Sequence, residues 1–421
     1  MNRKSFRSAA PVLTSFSPSP LGRRHRPSIT MSAPDISDDE IALVTSVLRS
    51  SSLSGGPMTQ SFEREWVERL GGGHAVAVSS GTAGLHLALI AAGVEVGDAV
   101  ITSPFSFVAS SNAALYVRAV PVFVDIDPVT MNLDAAAVEE AAADIAGGGT
   151  AARRWLPRRV PPECAGMATR PRVGALLPVH VFGQPADMRP LLATAGRHNL
   201  PVVEDACEAV GAAYEGRLTG TMGSAAVFAF YPNKQLTTGE GGMFVTRDEG
   251  WARLARSLRN QGRDEDATWL RHVRLGYNYR LNEMSAALGL GQLRRLDHLL
   301  AARARVAAGY LERLTTVESL TLPQLSPSTT RMSWFVFVVR LAPHIDRDMV
   351  MARLHADGVP SRPYFSPIHL QPFYRERFGY AEGDFPQTEA VGRSGLALPF
   401  HAGLSDDDLD YIVERLVRAL P

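Results

Sequence analysis

Short apolar runs punctuate the first two thirds of the chain. They are Ala75–Ser79 (AVAVS), Asp98–Thr102, Val120–Asp127, Leu176–Val181 (LLPVHV), Leu200–Ala206 (LPVVEDA), Ala225–Phe230 and Met243–Thr246. Each has strand length and composition. Between most of them lie stretches with apolar residues at helical spacing: Ser79–Gly93, Pro104–Leu115, Leu133–Ala143 and Pro190–His198. Two amphipathic helices precede them. Ser37–Leu48 has a serine cap and acids in its first turn, and Ser61–Leu70 ends at three glycines. Strand and helix alternating at short intervals predict an α/β fold whose mainly parallel sheet is sandwiched by helices.

Beyond Trp251–Arg259, also helical, the rhythm changes. A long helix is expected over Leu281–Leu299 and a second over Ala301–Thr315. Phe335–Leu341 (FVFVVRL) reads as a strand, Arg347–Asp357 as a helix, and Ser405–Leu420 as a final helix. This order predicts a smaller C-terminal α+β domain. The expected division is a disordered extension over 1–33, a large domain over 34–295 and a small one over 296–421. Residues 146–173 are rich in Gly, Pro and Arg and read as a surface insertion with solvated charge.

Composition narrows the function. The 421 residues carry 43 basic and 43 acidic side chains, so no bulk attraction to nucleic acid or an anionic membrane is expected. No apolar run reaches membrane-spanning length, and none is expected to cross a bilayer. Cys164 and Cys207 form neither a metal spacing nor a disulfide framework, which fits a reducing, cytoplasmic setting and no metal site. The first thirty residues hold Arg, Ser and Pro but no acid, and lack the apolar core of a secretory signal. A disordered tail, a transit-like peptide and a start at Met31 remain open.

Candidate chemistry centres on residues 225–246, AAVFAFYPNKQLTTGEGGMFVT. Lys234 lies in a loop just past an apolar run. Desolvation between two strands favours a neutral amine, which makes Lys234 a candidate Schiff-base nucleophile. The plain alternative is a solvated loop lysine. The LPVVEDA run ends in Glu204 and Asp205, where doubly wound sheets place ligand groups. A lysine for an aldehyde and an acid for a pyridinium nitrogen fit pyridoxal 5'-phosphate (PLP). Asp205 also fits a helix N-cap. In SSGTAGLHLALIAAG, small residues lead from strand into helix and leave backbone N–H groups for a phosphate. Phe107 could stack on a planar ring or simply pack, and His86 is expected to pack.

Together these segments resemble the DegT/DnrJ/StrS-type sugar aminotransferases, within the PLP-dependent fold type I. The likeness runs from about Pro34 to the C-terminus. It is carried in order by SGTAGLHLAL, PFSFVASSNAALY, PVFVDID, PVHVFGQPADM, VVEDACEAVGA, FYPNKQLTTGEGG, GYNYRLNEMSAALG, RPYFSPIHLQPF and LPFHAGL. The resemblance implies that Lys234 carries the cofactor and Asp205 pairs with its ring nitrogen. Gly81 and Thr82 would hold the phosphate and Phe107 would stack on the ring. Asn278 would reach the cofactor of a partner subunit, giving a homodimer with shared sites. His369 and Tyr364 would touch substrate.

Two positions depart from the common pattern. Ala229 replaces a phosphate-binding serine, a hydroxyl contact worth ~1–2 kcal/mol. Glu208 replaces a glutamine that donates to the cofactor, so it must be protonated, turned away, or paired with a protonated cofactor oxygen. The implied reaction moves an amino group from glutamate to a keto-sugar nucleotide. A keto-cyclitol aminotransferase and a non-catalytic PLP-binding regulator are the alternatives. Lys234 argues against the family's dehydratases, which carry histidine there.

Overall fold

The computed structural model describes residues 29–164, 172–263 and 271–421. Most of the expected N-terminal extension, and Arg170 of the expected insertion, lie outside the described residues.

The strands of the first part are β1 (His74–Val78), β2 (Ala99–Thr102), β3 (Val120–Phe123), β4 (Val173–Leu177), β5 (Val203–Asp205), β6 (Ala213–Tyr214), β7 (Arg217–Leu218), β8 (Ala225–Ala229) and β9 (Gly242–Thr246). Four of them pair in the order β1-β9-β8-β5, and three in the order β3-β2-β4. Parallel bridges Leu176–Val202 and Val179–Asp205 stitch β4 to β5 and join the two groups. In this sheet, among the described residues, β9 runs antiparallel to its neighbours β1 and β8, whereas β5–β8, β2–β3 and β2–β4 pair in parallel. The mainly parallel sheet expected from sequence is present. Its strands are almost wholly buried because helices cover both faces, hence their continuous apolar runs.

The helices are α1 (Asp38–Leu48), α2 (Pro57–Leu70), α3 (Gly81–Ala91), α4 (Ala109–Tyr116), α5 (Ala135–Gly147), α6 (Gly149–Arg153), α7 (Met188–His198), α8 (Glu249–Arg259), α9 (Glu283–Arg294) and α10 (Leu296–Leu314). Helix α3 is apolar all round because it packs on β8 and β9 on one side and on α4 and α8 elsewhere. The long helix expected to reach Leu299 ends at Arg294. Arg295 adopts φ −101°, ψ 9°, and its guanidinium reaches Asp35 at 2.8 Å and the buried Glu40 at 3.1 Å. That pull turns the chain one residue before α10.

The last part holds β10 (Leu320–Thr321), β11 (Thr329–Arg331), β12 (Phe337–Leu341), α11 (Arg347–Ala356), α12 (Pro372–Phe378), α13 (Pro386–Ser394), β13 (Gly395–Leu398) and α14 (Asp406–Ala419). Strands β10, β12 and β13 form an antiparallel sheet. Its core of Tyr310, Phe337, Leu396, Leu409 and Ile412 is separate from the one beneath the large sheet. Strand β11 instead pairs with β6, tying the two parts together.

The arginines of the expected insertion are exposed, and several of them are also paired. Arg158 grips Asp384 with two bonds of 2.6 and 2.7 Å, Arg154 pairs with Glu140 and Asp144, and Arg172 pairs with Asp98. Cys164 sits in the core beside Phe123 and Tyr374. Packing and paired charge hold the described part of this segment, up to residue 164, against the rest of the chain, which a count of its glycines and prolines does not reveal.

Candidate active site

The site forms where β5, β8 and the start of α3 converge, in a cavity of about 510 Å³. Gly81, Thr82, Phe107, Asp205, Glu208, Lys234 and Tyr364 all line it. The structure therefore brings together seven of the residues singled out from sequence.

Lys234 follows β8 in the loop that turns back into β9. Its side chain is 12% exposed. Nζ lies 3.7 Å from Glu208 Oε1 and 3.7 Å from the ring centre of Phe335. The solvated-loop alternative does not describe this lysine.

Asp205 ends β5 and is buried. Its Oδ2 accepts from the Ser110 hydroxyl at 2.7 Å, and its Oδ1 accepts from the Cys207 backbone N–H at 3.2 Å. Both oxygens are oriented, and each keeps a lone pair for a further donor. No helix forms over 206–210. Asp205 accordingly makes a local turn contact rather than a helix cap.

Glu208 is not turned away. Its Oε2 accepts from the Phe182 backbone N–H at 3.0 Å, and Oε1 faces Lys234. Burial pushes its carboxyl above the ordinary carboxylate value, with Lys234 pulling partly back. Burial also pushes the Tyr364 hydroxyl up to about 12, with Glu208 adding to the effect. The buried Cys207 thiol is driven well above its ordinary value, first by desolvation and then by Asp205. It is therefore no thiolate nucleophile at neutral pH.

At the head of α3, the Ser80 hydroxyl accepts from Ala83 N–H and its carbonyl from Gly84 N–H. The first two amides of the helix, on Gly81 and Thr82, are left over. Gly81 also permits a close approach: a Cβ there would lie 2.7 Å from Ala229 Cβ and 2.8 Å from Cys207 Sγ. The helix start can sit this close to β8 only because Gly81 has no side chain. Phe107 lies ahead of α4 rather than inside it, since the Phe105 N–H bonds to Ser103 Oγ and delays the helix to Ala109. Phe107 is 64% exposed at the cavity mouth while Phe105 is fully buried.

Two assigned residues lie elsewhere. His369 has no exposed surface, and its Nε2 is 3.0 Å from Glu389 Oε1. It does not line the cavity. The expected substrate contact is corrected to a buried His–Glu pair packed against Phe385. Asn278 is exposed on a segment that bridges to Asn260 and is likewise absent from this cavity wall.

Sequence reasoning missed three contributors. Ser110 orients Asp205, Phe335 covers Lys234 Nζ, and Arg303 binds the backbone of the lysine loop. One signal was available but unread: Lys234 and Lys4 are the only two lysines in the whole sequence.

An amine for an aldehyde, a carboxylate for a ring nitrogen and free helix-start amides for a phosphate are a donor set that fits PLP. On this sheet they define a PLP-dependent enzyme of fold type I. Residues 34–417 match the model of the DegT/DnrJ/EryC1/StrS aminotransferase family. GDP-perosamine synthase of Caulobacter vibrioides is 38% identical over 398 residues, spanning 94% of this chain and 99% of that one. Among solved structures, DesV of S. venezuelae, in complex with a ketimine intermediate, is 34% identical with a TM-score of 0.78 over 90% of this chain and 93% of DesV. A Streptococcus pneumoniae protein solved in its PMP form is 25% identical with a TM-score of 0.82 over 93% and 98%. The chain belongs to the DegT/DnrJ/EryC1/StrS family and is a PLP-dependent aminotransferase.

Proposed function

We propose that the protein moves an amino group from glutamate to a keto-sugar nucleotide. The observation that carries the chemistry is Lys234 Nζ, nearly buried in one cavity with Asp205, Glu208 and the start of α3. The substrate class is supported by the likeness to GDP-perosamine synthase over nearly the full length of both chains.

When bound, PLP supplies a carbonyl that captures amines and a ring that accepts electrons. The chain does the rest. Asp205, aligned by Ser110 and the Cys207 N–H, would hold a proton on the ring nitrogen. Gly81 and Thr82 would hold the phosphate, without a hydroxyl from Ala229, and Phe107 would lie on the ring. Lys234 Nζ would take and return the proton at the substrate carbon as general base and acid. The aromatic wall of Phe335, Tyr364 and Phe365 would keep water from that atom.

We also assign Asn278 to a partner's site in a homodimer, since it lies off its own cavity. The setting proposed is the cytoplasm; among the described residues no helix is long and apolar enough to cross a membrane.

The test is a panel of keto-sugar nucleotides and keto-cyclitols with glutamate, reading amine product and 2-oxoglutarate. Turnover of a keto-sugar nucleotide supports the reading. Turnover of a cyclitol alone replaces it, and no glutamate half-reaction at all refutes it. Borohydride reduction of the loaded enzyme should label Lys234, and Lys234→Ala should take no label while remaining folded.

A further inference from the structure

Arg303 projects from α10 into the interior and is 4% exposed. Its hydrogen-bond acceptors among the described residues are all backbone carbonyls. Nη2 donates to Asn233 O at 3.1 Å and Lys234 O at 2.8 Å. Nη1 donates to Trp334 O at 3.3 Å and Phe335 O at 3.2 Å. Among the described residues no carboxylate pairs with it. Burial lowers its pKa only to about 10, so it remains a cation at neutral pH.

A buried guanidinium without a counter-ion is costly unless its donors are filled. Here one planar fork fills them by spanning two segments about a hundred residues apart (334 − 234 = 100). One segment carries Lys234. The other carries Phe335, whose ring lies 3.7 Å from Lys234 Nζ. The same group thus grips the lysine's own carbonyl and the backbone of the ring that covers its amine.

We propose that Arg303 is a positioning residue for Lys234: it fixes the lysine loop against the Phe335 ring and so keeps the amine covered. The inference rests on the role of Lys234 given above. Asp205 and the phosphate cradle take no part in it.

The two-lysine composition makes the test direct. Trace acetic anhydride is applied to the full chain, stripped of cofactor, across a pH series. Mass mapping then gives the ratio of Lys234 to Lys4 acetylation, with Lys4 as the reference amine. In Arg303→Met the freed loop should expose the amine, and the ratio should rise at least fivefold. Arg303→Lys, which keeps the charge but not the fork, should fall between Met and wild type. In the loaded enzyme kcat should fall in the same order while the KM for glutamate changes less. A ratio unchanged in cooperatively folded Arg303→Met overturns the proposal. If Arg303→Met does not fold, Phe335→Leu decides, because it removes the covering ring and leaves the four carbonyls: a raised ratio supports the proposal and an unchanged one overturns it. Borohydride labelling of loaded wild type away from Lys234 would instead refute the role of the lysine itself, which the stripped-chain ratio does not depend on.

Discussion

Gly81→Ala adds one methyl group at the tightest point of the site. The new Cβ would lie 2.7 Å from Ala229 Cβ and 2.8 Å from Cys207 Sγ. Ordinary carbon contacts are about 3.5–4.0 Å, so the start of α3 must retreat by roughly 1 Å. Overpacking of this kind costs about 1–3 kcal/mol. Helix propensity acts the other way, since Ala is favoured over Gly by up to about 1 kcal/mol. The clash wins, and the stripped protein should be destabilised by a net ~1–2 kcal/mol. The retreat also carries the Gly81 and Thr82 amides away from the phosphate. Losing one hydrogen bond to a charged group, about 1.5–3 kcal/mol, weakens PLP binding roughly ten- to a hundredfold. Thermal unfolding of the stripped protein and a fluorescence titration with PLP read the two effects separately. Adding Ala229→Gly removes the shorter contact and should restore part of both losses. Adding Cys207→Ala as well should restore most of the remainder. Wild-type stability and PLP affinity in Gly81→Ala would show that the close approach does not constrain the cradle.

Three further outcomes are expected. Asp205→Asn keeps an acceptor for the Cys207 N–H and turns its amide N–H₂ to the Ser110 hydroxyl, which can rotate to accept, but it loses the charge, so PLP binding should largely survive while kcat falls by orders of magnitude; near-wild-type kcat would leave Asp205 a local turn contact. Glu208 holds its proton more tightly folded than unfolded, so the stability it contributes is present below the ordinary carboxylate pKa and is lost as pH rises through the raised folded value. The Tm of Glu208→Gln minus that of wild type should therefore climb from acid to neutral pH, and a flat difference would contradict the burial argument. Lys234→Ala and Asn278→Ala, each inactive alone, should recover up to about half of wild-type activity per mixed dimer after subunit exchange, whereas no recovery in proven mixed dimers would place Asn278 in its own subunit's site.

Much of this was legible in the chain because strand ends announce themselves. Lys234, Asp205 and Gly81 each follow a short apolar run, and the sheet brings the ends of such runs to one edge. Glu208 was legible as a departure but not as a contact, because its partner N–H belongs to Phe182, which holds a left-handed φ of 59° no pattern foretells. His369 misled because a motif gives a position in sequence and says nothing of burial; the Glu389 carboxylate that claims it lies twenty residues on. Arg303 was invisible for a different reason. Its acceptors are main-chain carbonyls, which every residue has, so no side-chain pattern marks them.

The antiparallel strand of the large sheet also bears on how the chain assembles as it is made. Strand β9 pairs at once with β8 across residues 230–241, but its other neighbour, β1, was completed 164 residues earlier (242 − 78 = 164). At about 5–20 residues per second, a nascent chain carries HAVAV without its ladder partner for roughly 8–30 s. Beyond His74 that strand is apolar and free of acid, Lys, Arg and proline, the composition most prone to pairing with the wrong edge. The interval in which a ribosome-bound chain most needs shielding therefore opens with β1 and closes only once the lysine loop has been made.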